Sequence, residues 1–476
     1  MTTAPPSGAG RKLSAATIAA FAVSALPVGT LTTPLLVYLP NYYAGLMGIS
    51  LTAVGAVFFL VKVLDIGFDP VMGMVMDRTT TRIGRYRFWL VVGAPILMLG
   101  VWMLFMAPPG VGQAYLFAWL AVLYVGYSLY VLSTVAWGAV LAPTYHLRSQ
   151  VFAWAQVAGA SGAVIVLTLP SILAGKAGGT GDIGVVQLMG WIVVISIPIC
   201  AAITALGVRE PIVPRPKGST RVELKDFPAL ILRPSMARLL LVDICLTLGP
   251  GFTSPLFLFF FRQARGYTLT EANVLLLIYL IGSLLCAPLW ALVSRRLGKH
   301  KTLIAAAGLY AIAQTLVVTI PHHSVGPMAI GMFLAGGIAS AFAFMVRSMV
   351  ADVGDEVRLE TGKDQIGLIY ALITSTAKIG TASTVMITYP LLQHLFGFNP
   401  APGAVNTPEA LHGLVLIYTI LPVVMVALGG VVMLGYKLTG EKHAEIRAAL
   451  DERDAQAALE AEKTALAAMS GEPLVT

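Results

Sequence analysis

The sequence predicts an all-α polytopic membrane protein, with 12 transmembrane helices arranged as two pseudo-symmetric six-helix halves. Three observations carry that prediction. Apolar runs long enough to cross a bilayer recur along the chain: 57% of residues are hydrophobic, 11% are charged, and mean hydropathy is +0.82, far outside the range of soluble domains. Lysine and arginine are distributed unevenly between the loops on the two sides of those runs. A short basic turn recurs at the same place in both halves of the chain.

The runs lie near residues 14–42, 51–77, 86–107, 114–143, 150–174 and 184–208, then near 238–262, 271–294, 302–320, 325–351, 366–396 and 410–437. An even number of spans leaves both termini on one side, and Arg11, Lys12 and the Lys and Arg residues of the C-terminal tail assign that side to the cytoplasm of an inner-membrane protein. On that topology 25 of the 31 basic residues fall in cytoplasmic segments, three in outer loops (Lys176, Arg262, Arg265) and three within helices (Lys62, Arg347, Lys378). This asymmetry follows the positive-inside rule, so the formal charge of +8 needs no nucleic acid to explain it. Cys200, Cys245 and Cys286 all lie in apolar runs, which implies no disulfide framework. The polar start TTAPPSGAGRK precedes an apolar run too long for a signal-peptide core and reads as the lead-in to an uncleaved first span.

The chain therefore divides into a cytoplasmic tail (1–12), a first half (13–208), a cytoplasmic linker rich in proline and charge (209–237), a second half (238–438) and a charged, Ala-rich C-terminal helix (439–476). Ile446, Leu450, Leu459 and Leu466 give that last helix a thin apolar stripe, as expected of a surface helix. The recurring turn reads RIGRYR from Arg82 and RLGKHK from Arg296, with Gly84 and Gly298 standing 214 residues apart, about the length of one half. Duplicated halves are how secondary transporters build a midplane site between two rocking bodies.

Charge inside the spans marks that site. Lys62, Asp65 and Asp69 follow one another at spacings of three and four residues, which stacks them on one helix face. Between Leu51 and Met76, Asp65 is the fifteenth of 26 residues, near the midplane of a helix roughly 39 Å long. An intramembrane charge costs several kcal/mol unless it meets water or a partner, so such carboxylates are functional by default. Lys62 and Asp65 alone could form a structural ion pair, but one lysine leaves Asp69 over. Pro70 withholds a helical N–H and frees a carbonyl near Ile66. Carboxylates and a freed carbonyl suit a monovalent cation, H+ or Na+. In the eleventh span Lys378 sits at the same depth with no acid on its own helix, and Asp65 and Asp69 are the partners expected for it.

Asp243 and Arg347 lie toward the cytoplasmic ends of their spans, where local pairing is the expectation. The stretch MVADVGDEVRLETGKDQIG (349–367) clusters acids at the exit of span ten and reads as solvated loop charge or as part of a gate. In the gate reading, Asp77, Asp352 and Asp355 meet Arg82, Arg85, Arg295 and Arg296 when the inner face closes.

The run DIGFDPVMGMVMDRTTTRIGRYRFW resembles the signature of the glycoside-pentoside-hexuronide cation symporters, the melibiose permease-like branch of the major facilitator superfamily. The block from Met349 to Gly380 resembles that family's second signature, and the similarity extends over nearly all of residues 13–450. The resemblance implies a major facilitator fold working by alternating access as a monomer in membrane lipid, with no cofactor beyond the coupling ion and no enzymatic activity. It places Asp65 and Asp69 on the cation-site aspartates, Lys62 beside them, Lys378 on a span-eleven lysine and Trp137 on an aromatic residue of the sugar cavity. Ser133, with Thr134 beside it, falls where the melibiose permease has an acid that also supports the cation site. Gln156 replaces an arginine, SALPVG (24–29) lacks another sugar-binding acid, and Asp364 stands where arginine is usual. The implied activity is cation-coupled symport of a glycoside or another small polar solute. The second reading is transport of an amphiphile such as a lysophospholipid, and a receptor that no longer transports is a third.

Overall fold

The computed structural model describes residues 13–79, 81–142, 145–176, 182–210, 226–362, 366–401 and 403–470. About thirty side chains inside those ranges, those of Asp77 and Leu466 among them, lie outside the description. The first half supplies α1 (Ala15–Leu46), α2 (Leu51–Arg78), α3 (Arg85–Phe105), α4 (Gln113–Leu141), α5 (Tyr145–Lys176) and α6 (Asp182–Gly207). A short helix at Asp226–Ile231 then leads into α7 (Pro234–Ala264), α8 (Leu269–Leu297), α9 (Lys299–Thr319), α10 (Val325–Thr361), α11 (Ile366–Phe396) and α12 (Pro408–Leu434), and α13 (Gly440–Ser470) follows. Eleven of the first twelve are long and apolar enough to span a bilayer among the described residues, and α11, at 31 residues, completes the set. The chain is a multi-pass membrane protein.

Local chemistry explains the irregular helices. In α1, Pro27, Pro34 and Pro40 each lack a donor, and the helix relaxes into a 3-10 turn at Val23–Ala25 and π-turns at Pro34–Tyr38 and Tyr42–Leu46. In α7, Pro250 and Pro255 precede a π-turn at Phe260–Ala264, the same end of the corresponding helix. The repeat is visible elsewhere too. Ser50 caps α2 and Thr268 caps α8, the latter with a full capping box to Glu271. Gly84 and Gly298 both hold positive φ, 117° and 82°, at the entry to α3 and α9, so the recurring basic turn is one backbone conformation used twice.

Helix packing follows the same offset of six. Within the first half α3 packs on α4 and α6, α2 on α4, and α1 on α5 and α6; within the second half α9 packs on α10 and α12, α8 on α10, and α7 on α11 and α12. Between the halves α2 meets α11, and α5 meets α8. One apolar core fills the first half and continues into the second through Leu39, Tyr43, Phe259, Phe260 and Phe398; another, around Met345, Val350 and Leu368, lies in the second half. The shared core sits at the end remote from the basic turns. There Tyr38 donates to Asn273, and Gln393 Oε1 accepts from Thr52 N at 2.9 Å.

One expectation needs correction. The acids after Ala351 stand on helix rather than in a loop, because α10 runs 37 residues before Gly362 ends it in the left-handed conformation. Val350, Val353 and Val357 continue its buried stripe, against which Ile446 and Leu450 of α13 pack. Leu459 is 56% exposed, so the C-terminal helix docks by its first turns.

Small residues allow the tightest contacts. A Cβ on Gly336 would lie 2.0 Å from the Tyr279 carbonyl across the α8–α10 contact, whereas one on Gly308 meets nothing within 4 Å. Gly336→Ala should therefore destabilise by about 1–3 kcal/mol, read as a lower unfolding temperature in detergent. Gly308→Ala should be neutral or slightly stabilising, and equal effects of the two substitutions would contradict this packing.

Candidate functional site

The intramembrane charges converge. Lys62, Asp65 and Asp69 share a face of α2, as their spacing requires, and Lys378 reaches them from α11 in the other half. Its ammonium lies 3.0 Å from Asp65 Oδ2 and also donates to Asp69 Oδ2. Lys62 is 3.7 Å from the same Asp65 oxygen. The Asp65 side chain is 1% exposed, whereas Asp69 and Lys378 keep 21% and 22%. Two carboxylates and two ammonium groups cancel, which is what keeps four ionised groups tolerable at this depth.

The fourth helix completes the site. Ser128 donates to Asp65 Oδ1 at 2.6 Å, and the ring of Tyr124 lies under the Lys62 ammonium at 4.1 Å. Asp65 is thus held on both oxygens. Asp69 Oδ1, by contrast, is buried with no hydrogen-bond partner among the described residues. Pro70 leaves α2 continuous but denies the Ile66 carbonyl its usual N–H, so a free acceptor lies one turn from Asp69. Beside this cluster is a cavity of about 170 Å³, walled by α1, α2, α4 and α11, with Thr32, Lys62, Tyr124, Tyr127 and Thr381 as its polar lining.

The other expected residues fall elsewhere. The Ser133 hydroxyl donates to the Tyr130 carbonyl at 2.9 Å, and Thr134 likewise bonds back to its own helix. Five residues turn the helix by about 140°, so Ser133 cannot share the face of Ser128. Trp137 is fully buried, edge-on to Phe21 and beneath the Arg87 guanidinium at 5.6 Å, away from the cavity lining. Gln156 is exposed on α5. Asp243 accepts from Thr376 Oγ1 at 2.7 Å, which ties α7 to α11 two residues before Lys378. Ser128, Tyr124 and Tyr127 were not singled out by the sequence. The available signal was their i, i+3, i+4 spacing within an apolar span.

At the basic end the described ion pairs join groups of the second half to one another, to Arg233 of the linker and to α13. Asp352 takes Lys299 at 2.7 Å and His443 at 3.6 Å, and Asp355 takes His443 at 2.9 Å and Arg447 at 3.3 Å. Arg82, Arg295 and Arg296 are exposed. Arg85 is half-buried, and its backbone N–H donates to Glu210. Lys363 and Asp364 lie outside the described residues, as does the side chain of Asp77. The halves thus meet at the end remote from the basic turns and at the midplane. Asp352 and Asp355, expected in a gate, are held by Lys299 of their own half and by His443 and Arg447 of α13.

Two repeated six-helix halves with a charge cluster shared between them at the midplane define a membrane transporter rather than an enzyme. The chain belongs to the MFS/sugar transport protein family, which it matches over residues 20–440. It is 26% identical over 431 residues to the glucuronide carrier protein homolog of Escherichia coli (strain K12), covering 87% of this chain and 91% of that protein. It is 25% identical over 432 residues to the symporter YnaJ of Bacillus subtilis (strain 168), covering 88% and 90%, and 23% identical over 450 residues to the isoprimeverose transporter of Lactiplantibacillus pentosus, covering 87% and 89%. Among solved structures, a point mutant of the nucleoside transporter NupG superposes with a TM-score of 0.67 at 12% identity, covering 88% of this chain and 99% of that one. That likeness shows the major facilitator fold.

The Lys378 contact makes a stability prediction. In a double-mutant cycle of Lys378→Ala with Asp69→Asn, the coupling should be about 1–2 kcal/mol, below the fully buried limit because the pair is partly exposed. Denaturation in detergent measures it, and additive losses would show that the two groups do not act on each other.

Proposed function

We propose that this chain is a cation-coupled symporter that moves a glycoside or similar small polar solute across the inner membrane, with the basic end and both termini in the cytoplasm. The observation that carries the reading is Lys378 of the second half bridging both aspartates of the first. That bridge is an ionic tie between the two moving bodies, made by the groups a cation would use. A cation on Asp65 and Asp69 displaces the ammonium, loosens the contact of α2 with α11 and raises the population of the solute-binding state. Coupling is reciprocal, so solute bound in the adjoining cavity must tighten cation binding by the same factor. The relatives' names, which include symporters and sugar carriers, support this assignment. A cavity of about 170 Å³ has the space of about six waters, which suits a single sugar ring better than a lipid chain.

We further propose a proton as the coupling ion. Dehydrated sodium needs several oxygens converging on one point, yet Ser133 turns its hydroxyl to its own backbone and Lys378 occupies the space between the carboxylates. A proton needs one carboxylate oxygen, and Asp69 Oδ1 is unengaged among the described residues. In this conformation a common apolar core joins the halves at the end remote from the basic turns, and Asp69 and Lys378 keep 21% and 22% of their side-chain surface exposed.

In proteoliposomes, a pH gradient without sodium should drive solute accumulation, and Asp69→Asn should abolish accumulation while retaining insertion and folding. Uphill transport by Asp69→Asn would remove the aspartate from coupling. Accumulation driven by a sodium gradient at equal pH would replace the proton by sodium.

A further inference from the structure

Another cavity lies at the end remote from the basic turns, between the last turns of α1 and α7 and against the connection from α11 to α12. Its volume is about 690 Å³, within the roughly 300–1,000 Å³ of small-molecule sites, whereas the midplane cavity has about 170 Å³. Asn41 and Gly45 of α1 and Phe259, Arg262 and Gln263 of α7 line it, and spacings of three and four residues put each set on one helix face. Both helix ends are π-turns, Tyr42–Leu46 and Phe260–Ala264, a rare backbone form that is frequent at functional sites.

The lining selects a charge. Arg262 is its one charged residue, and no acid joins it among the described residues. Glu271 of α8 bonds back to its own cap residue Thr268 at 2.8 and 2.9 Å and stays out of the lining. Gln263 Oε1 accepts from Asn406 Nδ2 at 2.8 Å, which commits the amide oxygen and leaves the two N–H groups as donors. Leu258, Phe259 and Leu411 add an apolar wall. A guanidinium and amide donors beside such a wall fit a molecule with an apolar body and one anionic oxygen group.

The walls also select a conformation. Asn41, Gly45 and Leu46 belong to the first half, and the remaining lining belongs to the second. A Cβ on Gly45 would stand 2.9 Å from the Pro400 carbonyl oxygen, so the halves touch beside the cavity. Asn406 ties the α11–α12 connection to α7, and that connection therefore moves with the second half. The cavity is complete only while this end is closed, and a ligand that needs both walls shifts the protein toward that state.

We propose that this cavity binds a small amphipathic organic anion, a carboxylate or sulfonate on an apolar body, and that its occupancy holds the end remote from the basic turns shut. Arg262 and the Gln263 amide meet the anionic oxygens, and Phe259 and Leu411 meet the body. The site is separate from the midplane cavity, and its occupant is an inhibitor of turnover rather than the transported solute. By reciprocity, opening of that end expels the ligand.

The test uses full-length protein in proteoliposomes with this end facing the bath, and two matched pairs of probes, p-toluenesulfonate against p-toluenesulfonamide and benzoate against benzamide. The anion of at least one pair should bind about tenfold or more tightly than its neutral partner, the scale of one hydrogen bond to a charged group. Arg262→Gln should erase that preference, and Arg262→Lys should keep it. With Thr52→Cys and Gln393→Cys cross-linked across the halves, that anion should still bind from the bath, where a ligand of the midplane cavity would be shut out. In the protein without the cross-link, Thr381→Cys in the midplane cavity should react with an impermeant maleimide from the bath only as this end opens, and saturating anion should slow the reaction. Equal affinity for anion and neutral partner in both pairs, an affinity unchanged by Arg262→Gln, binding lost on cross-linking, or an unchanged labelling rate overturns the proposal. If Arg262→Gln does not fold, the matched probes and the cross-linked protein still decide. None of these outcomes reads uptake, so cation-coupled symport stands or falls separately.

Discussion

An isolated charge cannot rest at the middle of a bilayer, and the site is arranged around that constraint. Asp65 and Asp69 come from one half, and the second positive charge that they need, Lys378, comes from the other. Lys62, on the same helix as the aspartates, could compensate only one of them. The separation matters for mechanism because electrostatic neutrality and contact between the halves become the same event. Any cation that satisfies the aspartates makes the lysine's presence unnecessary, and the interface between α2 and α11 loses its ionic tie.

The packing at the two ends of the molecule gives this switch something to move. At the end remote from the basic turns, a common apolar core and the Tyr38–Asn273 and Thr52–Gln393 bonds hold the halves together. At the basic end Asp352 and Asp355 are occupied by Lys299, His443 and Arg447, all in the second half or α13. Closure of that end would bring these acids toward the exposed Arg82 of the first half, and an exchange of partners is the kind of bistable contact on which alternating access depends. The C-terminal helix contributes at that end through His443 and Arg447, which pair with Asp355.

Much of this was legible in the chain, for definite reasons. The three- and four-residue spacing of Lys62, Asp65 and Asp69 can only mean one helix face, and the depth of Lys378 left few partners to choose from. Gly84 and Gly298 announced the repeat because a basic turn entered through positive φ needs glycine. What escaped was of two kinds. Hydroxyls in apolar spans, such as Ser128, carry no mark that separates a ligand from a residue bonding its own backbone. Ser133, singled out by resemblance, turned out to do the latter. The extension of α10 past the bilayer was missed because its charged positions look like loop, although Val350, Val353 and Val357 kept the helical period. Trp137 and Gln156 came by resemblance alone, and in this conformation neither lines the cavity.

The central claim is that Lys378 and the coupling cation compete for the same two carboxylates. Spin labels at Met74 on α2 and Tyr370 on α11, both exposed and both toward the basic end from the site, report the separation of the halves by pulsed electron resonance. The account predicts a distance distribution that shifts when the coupling cation is varied from limiting to saturating, and a shift that disappears when Lys378 is replaced by alanine. A cation-dependent shift that persists unchanged without Lys378 would contradict it.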